Sequence, residues 1–507
     1  MQDNLLQEVL NENTTAERLR ELVKSSDESV CIAIAKNPNT PPDVLLELFY
    51  DFPVDVLNNP ILDFIILENP NFFAELYEEN NSVFDCPDVP LFFLKWAINQ
   101  PDKYIHLDIA GSDKLPELIL ELLAEDKKME VRSRVATNPK TPNHILEKLA
   151  IDEDKYVRAS VAGNYQISNH ILDILAIDKN KDVRRHVPYN LNTKEDTLKL
   201  LSQDKSYEVR GAVAGSSITP HYIFENLTKD KLFYVRKMVA CNSNTPVYLL
   251  EKLAEDKGNH VKQGVAENPN TSSNILDKLA TSDNVKIRES VAKHANTSQE
   301  TLLVLFKEFG IKIFKNPGIK LITAQNSDFL YQLYQANGDI FRKVNLPLYV
   351  IEWGIRHSDV NVRIAVLSGY NYIPESCLKK IVDDESSIVR KLIAKSKYAS
   401  EFIFLKLAKD ACVDVRTAVA ENKYSPASAL EYLADDEIAL ICKLVAGHKN
   451  THFYSLEKLA KHQCDDVRLA VAINQNTLQT TLQELVNDTN SIVRRVAVNK
   501  LTKRLRK

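Results

Sequence analysis

The chain has 507 residues, 26% of them charged, with a formal net charge of −5, so it lacks the basic excess that counterion release rewards on DNA or RNA. Twelve glycines and twenty prolines are too few for long linkers or low-complexity tails. Seven scattered cysteines form no Cys-x-x-Cys pair, and neither a basic-plus-apolar leader nor an 18-residue apolar run occurs, which points to packed, reduced thiols in a cytoplasmic protein with no membrane segment.

Residues 1–50 read as an N-terminal cap and a first repeat. Leu5, Leu6, Val9 and Leu10 form the apolar face of a covering helix, and Val30, Ile34 and Ala35 lead through Asn37-Pro38-Asn39-Thr40-Pro41 to Leu45, Leu46 and Leu48. An array needs such a cap because its end unit has one apolar face without a neighbour. Residues 51–101 form a different module, crowded with aromatics that include Phe64, Phe72, Phe73, Phe92, Phe93 and Trp96.

A repeat array follows over 102–305. One apolar position is refilled every 26 residues by Ile105, Val131, Val157, Val183, Val209, Val235, Val261 and Ile287. Periodicity of this kind determines the architecture before any propensity argument is needed. Within a unit, Val131, Val135 and Ala136 share one helical face, and Ile145, Leu146, Leu149 and Ala150 share a second. Between them stands Asn138-Pro139-Lys140-Thr141-Pro142, where the Thr hydroxyl is expected to cap the second helix and Pro to take its first position. Helices of about 8 to 12 residues are marginal in water, so stacking is obligatory.

The module then returns at 306–358. Phe52, Asn59-Pro60, Leu76-Tyr77, Pro90-Leu91 and Trp96 reappear 257 residues later as Phe309, Asn316-Pro317, Leu333-Tyr334, Pro347-Leu348 and Trp353. A second array and C-terminal cap occupy 359–507, marked by Val362, Val389, Val415, Ile441, Val467 and Val493. The chain thus reads as two tandem blocks with a seam near 300–308. The expected fold is an all-α, right-handed superhelical solenoid of short two-helix repeats, interrupted by two aromatic-rich irregular modules.

The recurring order of Asp, Val-Arg, Val-Ala, Asn-Pro-x-Thr-Pro and Leu-Ala resembles the leucine-rich repeat variant family, a bacterial relative in shape of HEAT and armadillo arrays. The resemblance covers roughly 100–305 and 355–500. It implies a superhelix of helix pairs, one of each pair of the 3₁₀ type in that family; the 26-residue unit here leaves room for two α-helices. The iron–sulfur module of some members is not implied, because no cysteine cluster is present.

The most regular polar feature is an acidic residue followed six positions later by an arginine: Asp126/Arg132, Asp152/Arg158, Asp178/Arg184, Asp204/Arg210, Asp230/Arg236, Asp384/Arg390, Asp410/Arg416 and Asp488/Arg494. Rows of guanidinium suit phosphate, but each Arg brings its own Asp, which favours a structural ladder joining consecutive units. Ser282, His462 and Cys442 interrupt the pattern. Trp96, Trp353, Phe92, Phe93 and Tyr349 are the candidate partner-binding residues, with a role as core filler the competing reading. The eleven histidines form no His-Glu metal pair and most of them read as surface residues, and the basic run Lys500–Lys507 reads as a solvated helix end. No phosphate loop, nucleophile elbow or Cys-His arrangement stands out, so no catalytic, cofactor or metal residue is assigned.

The reading is a non-catalytic scaffold that holds a protein partner along the concave face. Mixed charges on the second helices, such as Glu147-Lys148 and Glu251-Lys252, suit protein better than nucleic acid. The alternatives are nucleic-acid binding in the manner of HEAT-like alkylation-repair proteins, and chromophore handling of the HEAT-repeat lyase type.

Overall fold

Each 26-residue unit folds as a helix pair because its two apolar stripes have no other way to leave water. The computed structural model describes residues 2–25, 27–342, 346–369 and 372–505. Those residues contain α-helices, four short 3₁₀ helices and no strand, the architecture of an all-α solenoid. The chain divides into two compact units, Met1–Thr271 and Ser272–Lys507.

In the unit that starts at Asp126, the first helix spans Met129–Thr137 and the second Asn143–Leu149. Val131, Val135, Ala136, Ile145, Leu146 and Leu149 are all buried. Replacing one such leucine by alanine costs about 2–5 kcal/mol in a well-packed core. Within each compact unit, consecutive first helices pack tightly on one another, as Met129–Thr137 does on Lys155–Gly163 and Ala439–Gly447 on Asp465–Ile473. Consecutive second helices stand farther apart, which makes the first helices the inner layer of each unit.

The turn between the helices works differently from the sequence expectation. Thr141 does not cap the second helix; its hydroxyl donates 2.6 Å back to the Val135 carbonyl in the last turn of the first helix. Pro142 stands at the N-cap in extended conformation, one residue before the helix. The Val135 carbonyl also accepts from the Asn138 N–H at 3.0 Å, so the hydroxyl is a second, buried donor that closes the end of the first helix. Thr193, Thr219, Thr245 and Thr271 repeat the bond in the first unit, and Thr297, Ser425, Thr451 and Thr477 in the second. Ser298 is an exception that does cap, accepting from the Thr301 N–H at 3.2 Å.

Both helices of a regular pair are α. One first helix is broken, into Lys181–Arg184 and a 3₁₀ turn Val187–Tyr189, because Pro188 has no N–H for the ladder. The other 3₁₀ turns, Val83–Asp85, Gly310–Lys315 and Gly338–Arg342, belong to the aromatic modules.

A buried asparagine row ties the layers together. Asn164 donates to the carbonyls of Ala136 (2.8 Å) and Asn138 (3.0 Å), and its own side-chain oxygen accepts from the Gln166 N–H at 2.8 Å. Asn138, Asn190, Asn242 and Asn268 do the same one layer apart. Asn59 and Asn316, which the duplication had already paired, hold this position in the two aromatic modules.

The ends differ from the interior. Gln2–Val9 packs on Glu28–Lys36, and the Val9 carbonyl accepts from Asn37 at 2.6 Å. At the other end a single helix, Ser491–Leu505, replaces a pair. Its basic residues are not all a solvated helix end, as expected. Lys500 takes the asparagine position and donates to the Ala472 (3.1 Å) and Asn474 carbonyls, while Arg504 donates to Thr477 at 2.6 Å and Gln475 at 2.8 Å. Burial, helped by Arg504, pushes the Lys500 ammonium down to about 8. Arg506 and Lys507, the end of that run, lie outside the described residues.

Candidate functional site

The Asp/Arg pattern forms ion pairs, with a register shifted by one layer, each Arg reaching the Asp of the next unit. Arg158 makes a two-pronged bond to Asp178, twenty residues on, at 2.6 and 3.1 Å, while its third nitrogen donates to the main-chain carbonyl of Asp152 at 2.7 Å. The carboxylate six residues upstream is therefore not the partner; only its carbonyl is. Arg132–Asp152, Arg184–Asp204, Arg210–Asp230 and Arg236–Asp256 continue the row in the first unit. Arg363–Asp384, Arg390–Asp410, Arg416–Asp436 and Arg468–Asp488 form it in the second. Asp126 at the start of the row pairs instead with His106, whose Nδ1 lies 2.6 Å away in the arginine position.

Burial alone raises the Asp178 carboxyl, but Arg158, the Asn180 N–H and the surrounding positive charge outweigh it and hold the group below the ordinary carboxylate range. Asp152, Asp204, Asp230, Asp256 and Asp410 behave alike. The Arg158 side chain is only 6% exposed, which leaves its fork no face for a phosphate. The interruptions keep the main-chain half of the link: Arg288 donates to the Ser282 carbonyl, Arg468 to that of His462, and the Cys442 thiol to that of Asp436.

Three histidines are exceptions to the surface reading of the majority. His106 is a rung of the ion-pair row, and His294 and His448 are buried in the asparagine position. Burial lowers the His448 pKa despite its contact to the Asn422 carbonyl at 3.0 Å. All seven cysteines are free, but Cys241 is exposed rather than packed. Glu117 and Glu121, one turn apart on Glu117–Leu123, meet His144 of the next layer with their ligand atoms within 4.8 Å. All three are exposed. Their convergence across layers is invisible to a search for metal pairs along the sequence.

The aromatic candidates divide by depth. Phe93 is fully buried, Trp96 is half-buried against Phe93 and Phe73 at centroid distances of 5.1 and 5.6 Å, and Phe92 lies exposed, stacked on Phe73 at 5.9 Å. In the second copy, half-buried Trp353 packs on Phe341 and His357 at 6.1 and 5.1 Å. Tyr349 is half-buried, and its hydroxyl has no hydrogen-bond partner among the described residues. Burial pushes that phenol up to about 12.

A further aromatic patch lies on the inner layer of the first unit, at positions that sequence reasoning passed over. Tyr189, Tyr207, Phe233 and Tyr234 are 55%, 41%, 51% and 39% exposed, and the Tyr207 and Tyr234 rings meet edge to face at 5.6 Å. Two of them lie against glycine. A Cβ on Gly211 would run into the Tyr234 ring, and one on Gly215 would come within 2.7 Å of the Met238 methyl and 3.3 Å of the Tyr189 hydroxyl. Glycine in a helix interior costs roughly 0.5–1 kcal/mol relative to alanine. The available signal was this pair of helical glycines opposite aromatics one layer on.

Beside the patch, the inner layer carries charge matched from layer to layer. Lys155 pairs with Asp182 at 2.9 Å and Lys181 with Glu208 at 2.7 Å. Fold and surface together define a helical-repeat solenoid with an aromatic, charge-balanced inner layer in its first unit.

No family model and no curated protein matches the chain. Among solved structures, it is similar to a leucine-rich repeat variant with a novel repetitive structural motif, at 22% identity over 45% of this chain and 87% of that one, with a TM-score of 0.32. It is also similar to the S. pombe condensin Cnd3–Cnd2 subcomplex, at 13% identity over 94% of this chain and 75% of that one, with a TM-score of 0.19. The fold assignment rests on the helix pairs and hydrogen-bonded rows of this chain itself. Among the described residues, no helix is long and apolar enough to cross a membrane.

Proposed function

We propose that the protein is a non-catalytic scaffold of the leucine-rich repeat variant kind that binds a protein partner, with the inner layer of the first unit as the contact surface. The observation that carries this reading is the exposed patch of Tyr189, Tyr207, Phe233 and Tyr234, with the Tyr234 ring against Gly211 and the Tyr189 hydroxyl beside Gly215. Tyrosine and phenylalanine supply rigid contact area at low entropic cost and are enriched in the buried centres of interfaces. A side chain at Gly211 would run into the Tyr234 ring, so the glycine makes room for that ring at a cost in helix stability. The buried arginine row supports a structural role for the ladder and weighs against the nucleic-acid reading, because its guanidinium groups are already matched by aspartates. The stacking of Phe73, Phe93 and Trp96 supports a core role for the first aromatic module, and weighs against a chromophore site there. The duplicated block is proposed as the organisational unit, with a cytoplasmic location.

The test is capture of partners from the native extract by the full chain, compared with Tyr207→Ser/Phe233→Ser. Both side chains are largely exposed, so the variant should fold, as circular dichroism will establish. Loss of a specific partner in the variant supports the surface. The same partners bound by both proteins would remove it.

A further inference from the structure

The first aromatic module carries an apolar groove with a charge field that selects its occupant. Between Pro38 and Leu94 the chain has eleven acidic residues and no lysine or arginine. Among the described residues, only Asp43 and Asp55 of the eleven lie within ion-pair distance of a cation, Arg20 and Lys36 respectively. Within this stretch an open groove of about 430 Å³ runs between the proline-rich turn of the first repeat and the helix Leu62–Glu68. Pro38, Pro41, Ile61, Phe64 and Ile65 line it, and Glu68 stands at its edge. Phe64 is 66% exposed and Leu67, on the same helix, 81%. Asp63 and Glu68 on that helix are exposed as well.

Folding does not require the acids. The second copy of the module keeps the aromatic and Asn-Pro framework, and Asn316 makes the same bonds as Asn59. Yet residues 309–351 hold five basic residues and two acidic ones, where 52–94 hold eight acidic and none basic. Asp55, Asp63 and Asp85 correspond to Lys312, Lys320 and Arg342. One scaffold therefore tolerates either sign, and like charges crowded on one surface repel. Glu68 lines the groove and Asp63 lies on the same helix, and neither is within ion-pair distance of a cation among the described residues, which leaves both open to an external cation.

We propose that this groove docks a lysine- and arginine-rich amphipathic segment of a partner protein, one apolar side chain packing on Phe64 while its basic neighbours pair with Asp63 and Glu68. This site is separate from the tyrosine patch and does not depend on it.

The probe is a fluorescein-labelled peptide of leucine and lysine in the order LKKL repeated, titrated into the full chain, with the glutamate counterpart LEEL as control. Binding of the lysine peptide alone is expected, weakened at least tenfold when salt shortens the screening length. Asp63→Lys/Glu68→Lys should reduce affinity by about 30-fold and Phe64→Ser by about tenfold, each tenfold step being about 1.4 kcal/mol. Glu147→Lys/Glu421→Lys, an equal charge change at exposed positions elsewhere, should leave it within about threefold by the same scale. Equal losses in both charge variants, or no loss with Phe64→Ser, would overturn the proposal in favour of diffuse attraction. Sedimentation of the chain alone covers the other occupant. A dimer that dissociates in Asp63→Lys/Glu68→Lys would overturn the proposal in favour of a second copy of this chain.

Discussion

Asn164→Ala removes three hydrogen bonds at a site that is 2% exposed. It leaves the Ala136 carbonyl and the Gln166 N–H to find other partners, while the Asn138 carbonyl keeps the Thr141 N–H at 3.1 Å. Each buried polar group left unmatched costs roughly 1–3 kcal/mol. Gln166 is exposed, so water offsets part of its loss, and the expected total is about 1–3 kcal/mol, mostly from the Ala136 carbonyl. Ser216, which fills the same position two layers on, donates to the Pro188 carbonyl at 2.5 Å, so Asn164→Ser should retain one bond and recover about 1 kcal/mol. Asn164→Asp keeps the shape but turns a donor toward two carbonyls into an acceptor, and should be the worst of the three. The assay is amide hydrogen exchange of peptides covering 131–166, which reads local opening where a long array does not melt as one unit. A loss of about 1–3 kcal/mol corresponds to about 5- to 140-fold faster exchange there. An Ala variant exchanging within about threefold of the native chain, or an Asp variant as stable as the Ser one, would refute the reasoning.

Two other predictions concern groups whose surroundings differ in satisfaction. Arg158→Met strands the Asp178 carboxylate and should cost about 3 kcal/mol at neutral pH. The paired carboxyl has a folded pKa held below its unfolded one, so its contribution is full above the ordinary carboxylate range and fades as pH falls through the folded value. The gap between native chain and variant in urea denaturation should therefore narrow toward pH 3; a gap constant with pH would show that the pair is not its source. Tyr349→Phe removes a hydroxyl that has no partner among the described residues, and should be neutral or stabilising by up to about 1 kcal/mol in thermal unfolding. A loss of that size instead would mean the hydroxyl is bonded.

Much of this protein was legible in one dimension. The 26-residue spacing, the apolar positions of both helices, the Asn-Pro-x-Thr-Pro turn and the duplicated aromatic module can all be read without coordinates, because helix stripes are local and a repeated unit writes them many times. What each polar residue touches was decided by stacking. Arg158 stands six residues from Asp152 in sequence but reaches Asp178, and Asn164 bonds carbonyls 26 and 28 residues back. Thr141 lay beside the start of a helix and turned to the end of the preceding one. In a solenoid, equivalent side chains of neighbouring layers are stacked on one another, so the partner of a residue is set by the rise and rotation between layers. Those two quantities appear nowhere in the spacing of letters, and the tyrosine patch beside Gly211 and Gly215 exists only once they are set.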